Sequence, residues 1–234
     1  MSHDAKSIVL VSGGMDSCVC AAMESARGKT SFLHFNYHQR TERKELLAFR
    51  KIARHFDVHE TLIVDLSSMT RIGGTTLLKG TGKIPEAHLG SHKVPSTYVP
   101  FRNGIMLAYA AAWAEVTGAS RLVIGAVEAD SSGYPDCRKE FIEAFSKAIS
   151  KGTKSGLKLS VESPLVGMSK TEIVKLGVEL NAPFHLTWSC YSFEKKACGV
   201  CESCLLRLKG FKGAGIRDPI EYRRNVHQKN RVQQ

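Results

Sequence analysis

Nine residues near the start of the chain, Val9-Leu10-Val11-Ser12-Gly13-Gly14-Met15-Asp16-Ser17, have types and spacing suited to holding an anion. Aliphatic residues run straight into two glycines, and a helix-like stretch follows from Cys18 to Arg27. A buried strand, a tight turn and a helix start in succession leave backbone N–H groups unpaired at the positive end of a helix dipole. The glycines permit positive φ and close approach of a ligand, and Ser12 and Ser17 add hydroxyls. The stretch lacks the G-K-[ST] of a Walker A loop and the G-x-G-x-x-G of a dinucleotide fold, so it predicts a phosphate cradle of another kind.

Four cysteines form the second cluster: Cys190, Cys198, Cys201 and Cys204, spaced C-x7-C-x2-C-x2-C. Four thiolates this close suit a tetrahedral, structural Zn²⁺. An iron–sulfur cluster is the competing reading, but the ferredoxin run ends in Cys-Pro and here Leu205 follows Cys204. Cys18 and Cys20 read as small core residues. Cys137 has no paired histidine to make it a nucleophile.

Other candidates lie at predicted element ends. The loop Asp130 to Arg138 follows a strand, where open α/β sheets bind ligands. Asp130 and Asp136 would hold the amidine edge of a purine-like ring or Mg²⁺, and Tyr134 would stack. A surface loop with Asp and Gly as turn formers is the alternative. Arg102 and Lys170 each stand at a helix start, where a cation opposes the dipole, which points to an anionic ligand beside them. For Arg102, a plain helix start capped by Asn103 competes with that reading. Arg40 ends the second strand within reach of the same crevice, and His34 inside that strand reads as a satisfied, half-buried histidine.

The elements that must position these residues alternate. Strands are expected at Thr30–Tyr37, His59–Leu66, Arg121–Val127 and Leu157–Glu162. Helices are expected at Glu42–Phe56, Asn103–Thr117, about Lys139–Lys151 and Ser169–Leu180, the last opening on a Ser169/Glu172 capping box. This rhythm implies an α/β fold, a doubly wound parallel five-stranded sheet with helices on both faces. Ser67 to Pro100, rich in Gly and Pro, breaks it and reads as a flap over the site.

The 234 residues suffice for one large domain with an appendage. With 43% hydrophobic and 24% charged residues the chain reads as folded rather than disordered. No apolar run is long enough to span a bilayer, and the start lacks the apolar core of a signal peptide, so a cytoplasmic location without membrane contact is expected. The net charge is +11, and Leu205 to Gln234 hold eight Lys/Arg against Asp218 and Glu221. No aromatic residue interleaves the basic tail past Tyr222, so a solvated tail and an anionic substrate are favoured over nucleic acid. The expected organisation is a nucleotide-binding α/β domain over 1–185, a zinc-binding helical segment over 186–221 and a basic, disordered tail over 222–234.

The Ser12–Ser17 string resembles the S-G-G-x-D-S loop of the PP-loop ATP pyrophosphatases, which hold ATP's pyrophosphate there and transfer AMP to a substrate oxygen. With Val99-Pro100-Phe101-Arg102-Asn103, Gly133-Tyr134-Pro135-Asp136-Cys137-Arg138, Ser189-Cys190-Tyr191 and Cys198 to Arg207, the chain from about Lys6 to Arg217 resembles the 7-cyano-7-deazaguanine synthase family. Thr41 departs from the family's usual His, and the basic stretch past Tyr222 lies outside the resemblance.

The resemblance implies an adenine nucleotide alpha-hydrolase-like sheet of order 3-2-1-4-5, one structural Zn²⁺ per chain on the four cysteines, ATP with Mg²⁺ as substrate, and a homodimer. It implies adenylation of 7-carboxy-7-deazaguanine, attack by ammonia to give an amide, and a second adenylation that leaves the nitrile. Val11, Ser12, Gly13, Gly14, Met15, Asp16 and Ser17 would bind ATP. Asp16, Arg102 and Lys170 would serve the chemistry, with Asp16 orienting the loop or Mg²⁺. Asp130, Tyr134 and Asp136 would bind the deazapurine. A tRNA-modifying PP-loop enzyme and a family member that stops at the amide are the competing readings.

Overall fold

The computed structural model describes residues 6–86, 94–128, 133–154 and 158–223. Five strands, β1 (Ser7–Leu10), β2 (Thr30–Asn36), β3 (Thr61–Asp65), β4 (Arg121–Ile124) and β5 (Ser160–Glu162), form one parallel sheet in the order β3-β2-β1-β4-β5. The central β1 is buried along its whole length, as expected of a strand covered on both faces. Ser7 to Leu10 pair Thr30 to Leu33 on one side and Arg121 to Ile124 on the other. The chain therefore winds one way from β1 to β2 and the other way to β4. The carboxyl ends of β1 and β4 flank the switch point where such sheets bind ligands.

Helices α1 (Met15–Arg27), α2 (Glu42–His55) and α6 (Lys170–Glu179) contribute Val19, Phe49, Ile52 and Ile173 to the core on one face, against Val9, Phe32 and Val123 of the sheet. Helices α4 (Arg102–Thr117) and α5 (Lys139–Gly152) contribute Leu107, Ala110 and Ile142 on the other, against Ile8, Leu33 and Leu122. Neighbouring strand residues go to opposite faces, as the pleat requires. Cys18 and Cys20 are buried within the first core, where burial pushes the Cys18 thiol up to about 12 and holds Cys20 well above the usual thiol range.

Of the boundaries that differ from the sequence expectation, two shape the site. The first helix begins at Met15 rather than Cys18, so Asp16 and Ser17 lie in its first turn. The fourth strand stops at Ile124 rather than Val127. A Cβ on Gly125 would lie 3.0 Å from the Ser17 amide nitrogen, so the chain passes against the start of α1 there. The capping box of α6 forms: the Glu172 N–H donates to Ser169 Oγ at 3.3 Å, and the Ser169 N–H donates to Glu172 Oε2 at 2.7 Å.

The stretch from Ser67 to Pro100 is more structured where described than its composition suggests. It holds a short helix, α3 (Met69–Ile72), and Leu78 bridges Gln39 in antiparallel fashion. Residues 87–93 of the expected flap lie outside the described residues. The last helix, α7 (Glu202–Gly213), packs on α6 through two glycines. A Cβ on Gly210 would lie 2.7 Å from the Lys170 carbonyl oxygen, and one on Gly213 would lie 2.1 Å from Thr171 Oγ1. Among the described residues no helix is long and apolar enough to cross a membrane.

Candidate active site

The Ser12–Ser17 loop is built by α1 starting with its head uncovered. Gly14 occupies the N-cap position and supplies no side chain to the first turn, so the N–H groups there face outward. Ser12 Oγ accepts from the Gly14 N–H at 3.2 Å and lies 3.1 Å from Ser17 Oγ, which donates to the Gly14 carbonyl at 3.1 Å. Gly13 takes φ +90, and a Cβ there would lie 2.6 Å from the Glu45 carbonyl oxygen. Only glycine satisfies both conditions. Val11 and Met15 are buried, and they hold the loop by its two ends.

Two cations converge on this loop from other elements. Lys170, at the head of α6, is buried and donates to Asp16 Oδ2 at 2.8 Å. Asp16 Oδ1 is buried and has no hydrogen-bond partner among the described residues. An unsatisfied carboxylate oxygen beside a phosphate cradle fits a Mg²⁺ arriving with a nucleotide, since that ion takes one or two carboxylates plus phosphate oxygens. Arg102, at the head of α4, donates to Tyr37 Oη at 3.0 Å, and its guanidinium carbon lies 5.8 Å from the centre of the Tyr37 ring. No carboxylate pairs with Arg102 among the described residues. Burial works most strongly against its charge, but the oxygens of Tyr37, Tyr134 and Tyr191 and the carboxylate of Asp136 outweigh it.

These groups share one cavity of ≈ 260 Å³ at the switch point. Ser12, Gly14, Asp16, Ser17, Lys170, Tyr37, Arg102, Tyr134 and Tyr191 all line it. Tyr134 is buried, its hydroxyl lies 2.9 Å from Thr97 Oγ1, and its ring lies 5.5 Å from that of Tyr98. Burial, foremost, raises the phenols of Tyr37, Tyr134 and Tyr191, so all three are neutral donors at neutral pH.

Asp136 sits apart from the cavity lining. Its Oδ2 accepts from the Asn103 N–H at 2.8 Å, and Asn103 Nδ2 donates to its carbonyl at 3.1 Å. The carboxylate thus caps α4 beneath Arg102, and its burial raises its pKa. Asp130 lies outside the described residues. Cys137 does line the cavity, but burial pushes its thiol up to about 11, which leaves it a poor nucleophile at neutral pH. Arg40 also borders the cavity, yet its guanidinium donates to the Thr76 carbonyl at 2.9 Å and to the Gly82 carbonyl. It fastens the 75–82 stretch rather than aiming inward. His34 is fully buried and satisfied. Its Nδ1 donates to the Val11 carbonyl at 2.8 Å, and its ring stacks on Phe49 at 4.8 Å.

The sequence reading missed Glu45, Gln39, Thr41, Trp188 and Tyr191 as lining residues. Glu45 lies in the first turn of α2, where the amphipathic pattern marks only the apolar face and gives its carboxylate no role. Thr41 Oγ1 donates to its Oε1 at 2.6 Å and Gln39 Nε2 to its Oε2 at 3.0 Å. Trp188 reaches the loop because the zinc segment folds back: its N–H donates to the Gly13 carbonyl at 2.8 Å.

The four cysteines meet as their spacing predicts. Their sulfur atoms all lie within 4.8 Å of one another, and all four residues are buried. Cys198 Sγ and Cys204 Sγ are 3.8 Å apart, which matches the edge of about 3.8 Å in a tetrahedron with Zn–S bonds of about 2.3 Å. The N–H groups of Ser192 and Cys198 point at Cys190 Sγ, and those of Val200 and Cys201 at Cys198 Sγ, as around thiolates. The neighbouring thiols, Cys190 foremost, hold Cys198 far below the ordinary thiol range. Four protein donors complete a tetrahedral shell, so the set fits a closed structural Zn²⁺.

Residues 6–215 match the family described as queuosine biosynthesis protein QueC. The chain is 52% identical over 218 residues to a 7-cyano-7-deazaguanine synthase of Chlorobium phaeobacteroides, an alignment covering 93% of this chain and 96% of that one. It is 50% identical over 221 residues to the 7-cyano-7-deazaguanine synthase of Koribacter versatilis, covering 93% of each. It is 48% identical over 223 residues to that of Chlorobium chlorochromatii, covering 95% and 98%.

Proposed function

The chain belongs to the QueC family of queuosine biosynthesis proteins, and on that premise we propose how its cavity performs an ATP-dependent carbon–nitrogen ligation. The substrates are 7-carboxy-7-deazaguanine, ammonia and ATP with Mg²⁺, and the product is 7-cyano-7-deazaguanine with release of AMP and pyrophosphate. The observation that carries this reading is the convergence, in one cavity at the switch point, of an uncovered helix head, the buried Lys170 and the half-buried Arg102, two cations from different helices.

The head of α1, with Ser12 and Ser17, binds the pyrophosphate of ATP, and Asp16 Oδ1 meets its Mg²⁺. Lys170 holds Asp16 in place and faces the same phosphates. Arg102 receives the substrate carboxylate and then offsets the charge that develops as the carboxylate oxygen attacks the α-phosphorus. The tyrosine wall of Tyr37, Tyr134 and Tyr191 packs the deazapurine ring and excludes water, which would otherwise hydrolyse the acyl-adenylate. Asp136 positions Arg102 from below through α4. Cys190, Cys198, Cys201 and Cys204 would hold a Zn²⁺ whose part would be to brace the segment that fastens Trp188 to the loop, outside the chemistry.

One incubation tests the reading: 7-carboxy-7-deazaguanine, ATP, Mg²⁺ and ammonium, read by product mass and AMP yield. Nitrile with two AMP per product is expected. Amide with one AMP would remove the nitrile step, and no turnover with the metal intact would remove the assignment. We also propose a cytoplasmic homodimer. The partly uncovered α4, with Tyr109 and Val116 exposed, offers an apolar contact, and sedimentation as a monomer would refute it.

A further inference from the structure

Beside the ligand-binding groups, one lining carboxylate has no place in the reaction described so far. We propose that Glu45 is the proton acceptor for the nitrogen nucleophile. This rests on the ligase reading above, whose chemistry requires such a group. When ammonia's lone pair attacks the acyl-adenylate, a C–N bond forms and the C–O bond to AMP breaks, with AMP taking the electron pair. One N–H proton must leave to give the neutral amide. After the second adenylation the nitrogen loses its two remaining protons as AMP departs and the nitrile forms. A group beside the reacting carbon must accept these protons and pass them to solvent.

The cavity offers few candidates. Asp16 is engaged by Lys170. Asp136 lies outside the lining and is occupied at the head of α4. Burial holds Cys137, Tyr37 and Tyr134 in their neutral, proton-bearing forms, and Tyr191 also carries its proton at neutral pH. Glu45 remains. Its carbonyl packs against Gly13 of the phosphate loop, and its side chain lines the cavity that Tyr37 and Arg102 also line. It therefore shares the cavity with the groups that hold the phosphates and those that hold the acid.

Its orientation is set by a chain of bonds that leads back to β2. The Tyr37 N–H donates to Gln39 Oε1 at 2.9 Å, Gln39 Nε2 donates to Glu45 Oε2, and Thr41 Oγ1 donates to Glu45 Oε1. One donor on each oxygen leaves each a lone pair for the nucleophile. Burial raises the pKa of this carboxylate and so makes it a better base than an exposed one. Gln39 and Thr41 are positioning residues for it.

The test separates the two halves of the reaction in the full-length, zinc-loaded protein. Substrate-dependent exchange of pyrophosphate into ATP reports adenylation alone, and amide formation from ammonia reports the nitrogen step. For Glu45→Gln, exchange within about threefold of the wild type is expected, with ammonia-dependent amide formation reduced about a hundredfold or more. Hydroxylamine is uncharged at neutral pH and needs less help from a base, so it should recover hydroxamate formation to within about tenfold of the wild type. Glu45→Asp should retain partial ammonia activity. Amide formation unchanged in Glu45→Gln, or exchange lost in parallel with it in both variants, overturns the proposal. Absence of exchange in the wild type instead overturns the ligase reading, and this proposal with it.

Discussion

At the scale of single residues, the site depends on two positions that tolerate almost no change. Gly13 combines φ +90 with 2.6 Å between a built Cβ and the Glu45 carbonyl. Gly13→Ala therefore strains the loop and pushes α2 outward, at a cost of about 1–3 kcal/mol. Pyrophosphate exchange should fall at least about a hundredfold while circular dichroism stays that of the folded protein. The second position is Lys170. Removing it leaves Asp16 without its cation, so Lys170→Met should lower stability by about 1–3 kcal/mol, less than a fully enclosed pair because Asp16 is partly exposed. Adding Asp16→Asn to that variant should restore much of the stability in chemical denaturation but none of the exchange activity. Recovery of activity in the double variant would mean that the pair is structural only. The glycine loop, Asp16 and Lys170 were legible in the sequence because residue type and spacing alone mark a helix head that attracts anions. Glu45 was not, since a charged residue in a charged helix turn looks like a solvated face until the neighbouring Thr41 and Gln39 are placed around it.

At the scale of elements, α7 and the zinc segment act as a buttress for the loop. Arg207 is fully buried on α7. It makes a two-pronged pair with Asp218 at 2.8 and 2.9 Å and donates to Thr187 Oγ1 at 2.6 Å and to the Phe184 carbonyl at 3.2 Å. One guanidinium thus ties together the stretch that precedes Cys190, the helix that carries Cys204 and the segment that follows that helix. The sequence reading counted Arg207 as part of a basic, solvated end, because nothing in the spacing from Arg207 to Asp218 announces a buried pair. Two predictions belong here. Gly210→Ala drives a methyl into the Lys170 carbonyl, so α7 and α6 must separate. The zinc content should stay at one per chain while exchange activity falls as Lys170 leaves Asp16. Unchanged activity would show that the α6–α7 contact does not set the position of Lys170. Removal of zinc with a chelator should expose four thiols to a colorimetric reagent, lower the melting temperature and loosen Trp188 from the Gly13 carbonyl, seen as a change in tryptophan emission.

At the scale of the whole molecule, the alternation of strands and helices and the parallel, two-faced sheet followed from hydrophobic pattern, whereas the strand order came from resemblance. Pattern constrains which segments are buried but not which strands are neighbours, and the balance of buried ionisable groups is equally invisible to it. That balance has a measurable consequence. His34 is buried, and burial, its largest influence, lowers its pKa despite the bonds to the Val11 carbonyl and Asn36. In the unfolded chain a histidine takes up a proton below about pH 6.5 while the folded protein refuses it. Its contribution to stability is therefore complete above that pH and is lost as pH falls toward the folded value. Glu45 and Asp136 carry pKa values raised chiefly by burial, so they act with the opposite sign. The folded state takes up their protons first, and stability associated with them grows as pH falls through the folded values and is lost as pH rises through them. On the acid side the two effects oppose one another. His34→Gln should therefore flatten the fall in unfolding free energy between about pH 6.5 and pH 5 by up to about 1.4 kcal/mol per pH unit, the limit for one proton. The comparison must use slopes, since losing the stack on Phe49 lowers stability at every pH. Denaturant titrations of both proteins across that range decide it, and an unchanged slope would mean that His34 is protonated in the folded protein and holds the Val11 carbonyl as a cation.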